Sequence, residues 1–178
     1  MKLRRQDLDQ IFSQAGAEYP AECCGILTAT AVDAASQVHP CRNIQDELHA
    51  KDPEQYPRES RIAYFIEPQQ LFQIVSTTEK SGGLVTGFYH SHIDCDTYFS
   101  EEDKERAMAW DEPAYPDAVY VVVSVYGESD VRATKAFGWD EGDCPIPCPE
   151  GQAWDCENNC VDEAWLADGT CQPVLACQ

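Results

Sequence analysis

Positive charge is scarce in this chain. Its 178 residues hold 12 Lys and Arg against 32 Asp and Glu, a formal net charge of −20. Such a field repels phosphate backbones and anionic headgroups, which argues against nucleic acid and membrane surfaces as partners. Long apolar runs are missing as well: none approaches the ~18–20 residues that a membrane span requires. Met1-Lys2-Leu3-Arg4-Arg5 is charged like the n-region of a secretory leader, but Gln6-Asp7-Leu8-Asp9-Gln10 stands where an apolar h-region would follow. These absences lead to the expectation of a cytoplasmic protein. Hydrophobic residues make up 43%, enough for a core of ordinary size.

The bases are also unevenly placed. Every Lys and Arg precedes Asp140, whereas residues 141–178 hold eight acids and no base. Six of the ten cysteines crowd that same segment: Cys144, Cys148, Cys156, Cys160, Cys171 and Cys177. The shift of composition predicts two units, a domain over 1–140 with net charge −12 and a small acidic Cys-rich module over 141–178 with net charge −8.

In the first unit Leu8, Ile11, Phe12 and Ala15 recur at helical spacing and predict a helix over 6–18. Strands are expected at 25–30, 37–39, 63–66, 84–89, 118–126 and 131–139. Helices are expected over 68–80, with Pro68 in the favoured first turn, and over 100–110. Residues 44–60, rich in Asp, Glu, Gln and Pro, and 111–117 read as loops. The run Ala118–Tyr126 is apolar almost throughout, which suits a strand buried on both faces. Alternating strands and helices of this kind predict a mixed α/β domain with a central sheet.

The chemistry concentrates in "GFYHSHIDCDTYFSEED", residues 87–103. In extended backbone, side chains two apart face the same way, so His90 and His92 point to one side at the end of a strand. A lone His-x-His is as readily a pair of surface histidines. Ser100 with Asp103 three residues on is a capping box, and both residues have that ordinary role open to them. Together, however, H-x-H-x7-S-x2-D supplies two imidazole nitrogens and one carboxylate, three ligands with a position left open, which is the pattern of a catalytic zinc. A deaminase-type zinc site would want H-x-E and C-x-x-C, and the chain has neither.

The motif resembles the signature of the JAMM (MPN+) metallopeptidases, a distant Glu followed by H-[S/T]-H-x7-S-x2-D. The distant Glu of that family sits before a strand in a context like that of Glu22-Cys23-Cys24-Gly25-Ile26-Leu27. "AYFIEPQQL" and "AVYVVVSV" are also similar to bacterial members, and the likeness runs over about residues 5–139. It implies an MPN (cytidine-deaminase-like) fold, one catalytic zinc on His90, His92 and Asp103, Glu22 as general base and Ser100 as oxyanion stabiliser. It further implies hydrolysis of an amide or isopeptide bond at the C-terminal tail of a ubiquitin-like or sulfur-carrier protein, beside an E1-like activating enzyme. Family members also include non-catalytic MPN scaffolds and cell-wall peptide hydrolases. Many relatives carry Pro after the second His, where this chain has Ile93. Cys95 reads as a loop cysteine, with a redox or inhibitory ligand as the alternative, and Cys23 and Cys24 read as small residues behind the site.

For the tail, two C-x3-C pairs followed by Cys171 and Cys177 leave three readings open. These are a disulfide framework, a small zinc module and a segment without fixed structure. Trp154 and Trp165 are candidates to pack it onto the larger unit.

Overall fold

The computed structural model describes residues 1–32, 34–139, 152–154 and 160–162. Its main sheet has five strands in the order β2-β1-β3-β6-β7. These are β1 (Cys24–Ala29), β2 (Gln37–Cys41), β3 (Leu84–Ile93), β6 (Val119–Val125) and β7 (Val131–Phe137). The β1–β2, β1–β3 and β6–β7 pairs are antiparallel, and β3–β6 is parallel. The sheet is therefore mixed, and helices flank it as the sequence predicts.

Strand alternation sorts its side chains to two faces. Cys23, Leu27, Tyr89, Val121, Val123 and Val125 take one face and pack beneath Ile11 and Ala15 of α1 (Arg5–Glu18). Cys24 and Ile26 take the other, beneath Leu71 and Ile74 of α3 (Pro68–Lys80) and beside Tyr64 and Phe88. On that second face Val122 and Tyr120 meet Phe99, Ala107 and Phe137. All of β1 is buried, as are six of the seven residues of β6, so the apolar run at 118–126 is explained by burial on both sides.

Five expectations need correction. Residues 45–51, taken for loop, form α2 (Gln45–Lys51). No apolar stripe marks this helix; it is held by the buried Gln45, whose Nε2 donates to Arg58 O at 2.7 Å. Residues 63–66 are not a ladder strand, since they make one isolated bridge, Asn43 to Ile66, and Phe65 N–H bonds to the Asn43 side chain at 2.9 Å. The fourth helix, α4 (Glu101–Ala107), stops short of 110. β4 (Met108–Ala109) and β5 (Glu112–Pro113) follow it as a tight hairpin, which replaces part of the expected loop. Trp110 turns this hairpin at φ 57° and is 98% exposed. β3 runs on to Ile93, so the His-x-His pair lies within the strand.

Beyond the first unit, β8 (Gln152–Trp154) and β9 (Cys160–Asp162) pair antiparallel. The disulfide, zinc or unstructured reading of the tail, and the packing of Trp154 and Trp165, lie outside the described residues. Among the described residues, no helix is long and apolar enough to cross a membrane.

Candidate metal centre and catalytic cleft

Register brings the site together. Cys24 on β1 stands opposite His90 on β3, and Ser91 N–H donates to Cys23 O at 3.0 Å. Cys23 N–H returns a bond to Ser91 Oγ at 2.8 Å. Continued by one more step, this antiparallel register sets Glu22 opposite His92 on the face that carries Cys24 and His90. On the far side of Glu22, its N–H donates to Ser60 O at 2.7 Å and its carbonyl accepts from Asn43 Nδ2 at 2.9 Å.

The third candidate ligand comes from the start of α4. Ser100 caps this helix, its Oγ accepting from Asp103 N–H at 3.1 Å. In return Asp103 Oδ2 accepts from Ser100 N–H at 2.8 Å and from its hydroxyl at 2.6 Å. The cap thus fixes the carboxylate that faces the histidines. Oδ1 lies 3.4 Å from His90 Nε2, and Oδ2 lies 3.9 Å from His92 Nε2.

Do these atoms fit one cation? His90 Nε2 and His92 Nε2 are 3.2 Å apart, and all three residues offer ligand atoms within 4.8 Å of one another. Ligands at 2.0–2.1 Å around a tetrahedral ion stand about 3.3 Å from each other. The two imidazole nitrogens and the His90–Oδ1 separation match that edge, while His92 faces the other carboxylate oxygen, Oδ2, at 3.9 Å. His90, His92 and Asp103 are each 6% exposed or less. Two imidazole nitrogens turned toward one carboxylate and toward each other in such a buried place form a donor set suited to a divalent metal.

Neighbouring groups prepare the ligands. His92 Nδ1 lies 3.0 Å from Asp96 O, so the proton belongs on Nδ1 and the Nε2 lone pair is left for a metal. Tyr64 stacks on His90 with centroids 4.5 Å apart at 22°, and Tyr98 leans on His92 at 4.5 Å. Burial pushes the His90 imidazole down, toward the neutral form that can ligate. Burial alone would raise the Asp103 carboxyl, but its contacts with His90, His92 and Ser100 outweigh burial and hold it well below the usual range.

A cleft of about 110 Å³ opens over these atoms, lined among others by Glu22, His92, Cys95, Tyr98, Ser100 and Asp103. Glu22 is 5% exposed, and its carboxyl is raised from 4.5 to about 9. Burial is the main cause, followed by the charges of Asp103 and Glu102, with Arg106 and Arg58 opposing them. Without a cation this carboxyl keeps its proton at neutral pH; a divalent ion held by the neighbouring donors would lower it and free it to accept one. Cys23 and Cys24 are fully buried behind it, and burial pushes the Cys23 thiol up to about 12, so these two thiols are packing groups. Cys95, partly exposed, lies on the cleft wall. Ile93 closes β3 opposite Val125, and Asp94 then turns the chain at φ 56°.

The structure thus gathers His90, His92 and Asp103 at one point and sets Glu22 and Ser100 on the wall of the same cleft. Tyr64, Asp96 and Arg106 were not foreseen. No spacing in the sequence ties Tyr64 to His90; only the path of the 52–66 segment brings them together.

Comparison with known proteins follows the same residues. A family model described as prokaryotic homologs of the JAB domain matches residues 4–137. Over 114 residues the chain is 32% identical to a desampylase from Haloferax volcanii, a match covering 64% of this chain and 69% of that protein. Over 130 residues it is 28% identical to tail tip assembly protein K of Escherichia phage N15, covering 71% of this chain and 46% of that protein. A solution structure of a protein from Desulfitobacterium hafniense superposes with a TM-score of 0.55 at 17% identity, covering 99% of this chain and 91% of that one. This last likeness is one of fold.

Proposed function

The chain belongs to the prokaryotic homologs of the JAB domain, and from that premise we propose that it is a zinc-dependent peptidase or isopeptidase. Its substrate in this reading is an amide bond at the C-terminal tail of a ubiquitin-like or sulfur-carrier protein. The observation that carries the reading is the convergence of His90, His92 and Asp103 within 4.8 Å of one another, in the cleft whose wall also holds the buried carboxyl of Glu22. The likeness to the desampylase supports a ubiquitin-like substrate. An E1-like activating enzyme is the partner expected beside a sulfur-carrier substrate, and the cytoplasm is the compartment where the two would meet.

Zinc held by His90, His92 and Asp103 would polarise the scissile carbonyl and bring the pKa of its water from 15.7 to about 7. The remaining chemistry belongs to the chain. Glu22 takes the proton of the attacking water and delivers it to the leaving amine, a role worth roughly 10²–10⁴-fold. Ser100 has its hydroxyl bonded to Asp103; turned toward the tetrahedral oxygen, it would act as an oxyanion donor, a contribution of about 10²–10³ in rate. Tyr64 and the Asp96 carbonyl hold the two imidazoles in their ligating orientation. A carboxyl on the wall of the same cleft that is not among the three candidate ligands, Glu22, is what separates this arrangement from a merely structural metal site.

The test is metal content by native mass spectrometry together with cleavage of a ubiquitin-like protein fused through its tail to a reporter. One zinc per chain and turnover lost in Glu22→Gln with the metal retained is the expected result. A chain that takes up no zinc on reconstitution would instead be a scaffold of the JAB fold.

The likeness to the phage tail tip assembly protein favours a second reading, hydrolysis of a short cell-wall type peptide by the same residues. This chain spans less than half of that protein's length. Turnover of peptidoglycan stem peptides with no turnover of the fusion would select it.

A further inference from the structure

The cleft over the metal centre holds about 110 Å³, room for backbone and water but for no large side chain. Recognition energy for a polypeptide must therefore come from beside it. A second cavity, of about 390 Å³, adjoins the cleft and shares Tyr64 and Arg106 with it. Its other walls include Ile66, Leu71, Phe88 and Tyr115. This volume falls in the ~300–1,000 Å³ range of ligand-binding pockets.

We infer that this cavity is a specificity pocket, which takes one large uncharged side chain of the polypeptide substrate two to three residues from the bond that is cut. The inference rests on the peptidase reading above. Three observations favour that occupant. The walls are apolar, and their one cation, Arg106, is already matched: its Nη2 donates to Glu102 at 2.6 Å and to Gln45 Oε1 at 3.3 Å, and its Nη1 donates to Tyr64 O. A charged side chain would find no counter-ion there. Tyr64 is the partition, stacked on His90 at 4.5 Å on the metal side and facing the cavity on the other. A chain extended over the cleft advances ~3.3–3.4 Å per residue, so two to three residues (~7–10 Å) cross one aromatic ring and its contacts. Part of the wall comes from elements that carry none of the candidate ligands, Leu71 of α3 and Ala114 and Tyr115 after β5, whereas Phe88 and Arg106 share β3 and α4 with them. Leu71 and Ala114 can therefore change without touching His90, His92 or Asp103.

The pocket also gives a physical role to the 63–66 segment. A strand paired into the sheet would have its side chains set by the ladder. This one is tied by Asn43, and Arg106 lies over its Tyr64 and Phe65 rings at 5.9 and 5.3 Å. It stands as a wall between two chambers.

The test uses the full-length zinc-loaded protein and quenched fluorescent decapeptides that differ at one position, occupied in turn by Gly, Asp, Lys, Leu or Phe. The expected result is one position, two or three residues from the cut, where Leu or Phe raises kcat/KM about 10–100-fold over Gly and Asp or Lys does not. Ala114→Trp, which fills the pocket from its exposed rim, and Leu71→Lys, which charges its wall, should remove that preference and leave turnover of the Gly peptide unchanged. A misfolded variant would lose both. Cleavage by the wild type with no such preference overturns the pocket and leaves the peptidase reading standing. If nothing is cleaved, anisotropy of labelled Phe and Gly peptides on the same proteins decides. Tighter Phe binding that is lost in Leu71→Lys keeps the pocket and rejects the activity, whereas equal binding rejects both. A rise in turnover of every peptide alike in the two variants would mean that the chain's own residues 140–178 fill the pocket, and that also overturns the proposal.

Discussion

Ser100 and Asp103 exchange three hydrogen bonds, and two of them end on the same carboxylate oxygen, Oδ2. The helix cap and the candidate metal ligand are thus one device. The start of α4 could not loosen without moving Asp103 away from His90, 3.4 Å off. Ser100→Ala removes the hydroxyl from both sides of the exchange. Loss of an N-cap costs about 0.5–2 kcal/mol, and loss of a bond that orients a ligand costs about 10–100-fold in metal affinity. We predict that Ser100→Ala lowers the urea midpoint modestly and weakens zinc binding in a competition titration. An affinity equal to wild type would mean that the backbone bond from Ser100 N–H alone holds the carboxylate.

Glu22 makes the metal-free fold sensitive to alkali. Its carboxyl is raised from 4.5 to about 9 in the folded chain. Below about 4.5 both folded and unfolded chains keep the proton. Between about 4.5 and 9 the unfolded chain releases it and the folded chain does not, so stability falls as pH rises. Glu22→Gln has no proton to lose. In chelator, the Tm of Glu22→Gln should therefore exceed that of wild type by a margin that grows from pH 5 to pH 8. With zinc bound, two nearby positive charges lower the Glu22 carboxyl, and the margin should shrink. A margin independent of pH would refute the assignment of a buried proton to Glu22.

The readable parts of the fold and site are those with local rules. α1 and α3 carry an apolar face at helical spacing and β6 an apolar run, and all three fall where the periodicity puts them. His90, His92 and Asp103 were legible because strand and cap geometry are local: residues two apart share a face, and N3 of a capped helix turns back on its cap. α2 was not legible, because it has no apolar stripe and is secured by a buried glutamine whose partners, Arg58 and Arg106, lie far along the chain. Tyr64 was misread for a related reason. Val, Ile, Tyr and Phe favour strands, but the backbone of 63–66 found a side chain, Asn43, in place of a neighbouring strand. A composition of strand formers does not show whether an edge is there to receive them.

Gly25, three residues after Glu22, is held small by Tyr89. A Cβ built there would lie 2.3 Å from the ring carbon Cζ and from the hydroxyl oxygen. Tyr89 is 1% exposed, and its hydroxyl donates to Gln14 Oε1 at 2.5 Å, so the ring cannot step aside freely. Overpacking of this kind costs about 1–3 kcal/mol. Gly25→Ala should lower the unfolding midpoint by that amount and, because Tyr89 adjoins His90 on β3, weaken zinc binding too. Gly25→Ala combined with Tyr89→Phe removes the hydroxyl contact and should recover part of the loss.

Without a cation, His90 and His92 hold two ring nitrogens 3.2 Å apart and face a carboxylate, with a second carboxyl in the same cleft. A bound metal would resolve this crowding and, by mass action, stabilise the folded chain that alone forms the site. At zinc 100-fold above Kd the gain is about 2.7 kcal/mol. Chelation of the wild-type protein should therefore lower its Tm by several degrees, and re-addition of zinc should restore it. His92→Ala removes one of three ligands, so its Tm should not respond to chelator. The same substitution takes one imidazole out of the crowded group, so metal-free His92→Ala should melt no lower than metal-free wild type. If it melts far lower, the imidazole is a packing element first, and the metal centre is not what keeps a histidine at that position.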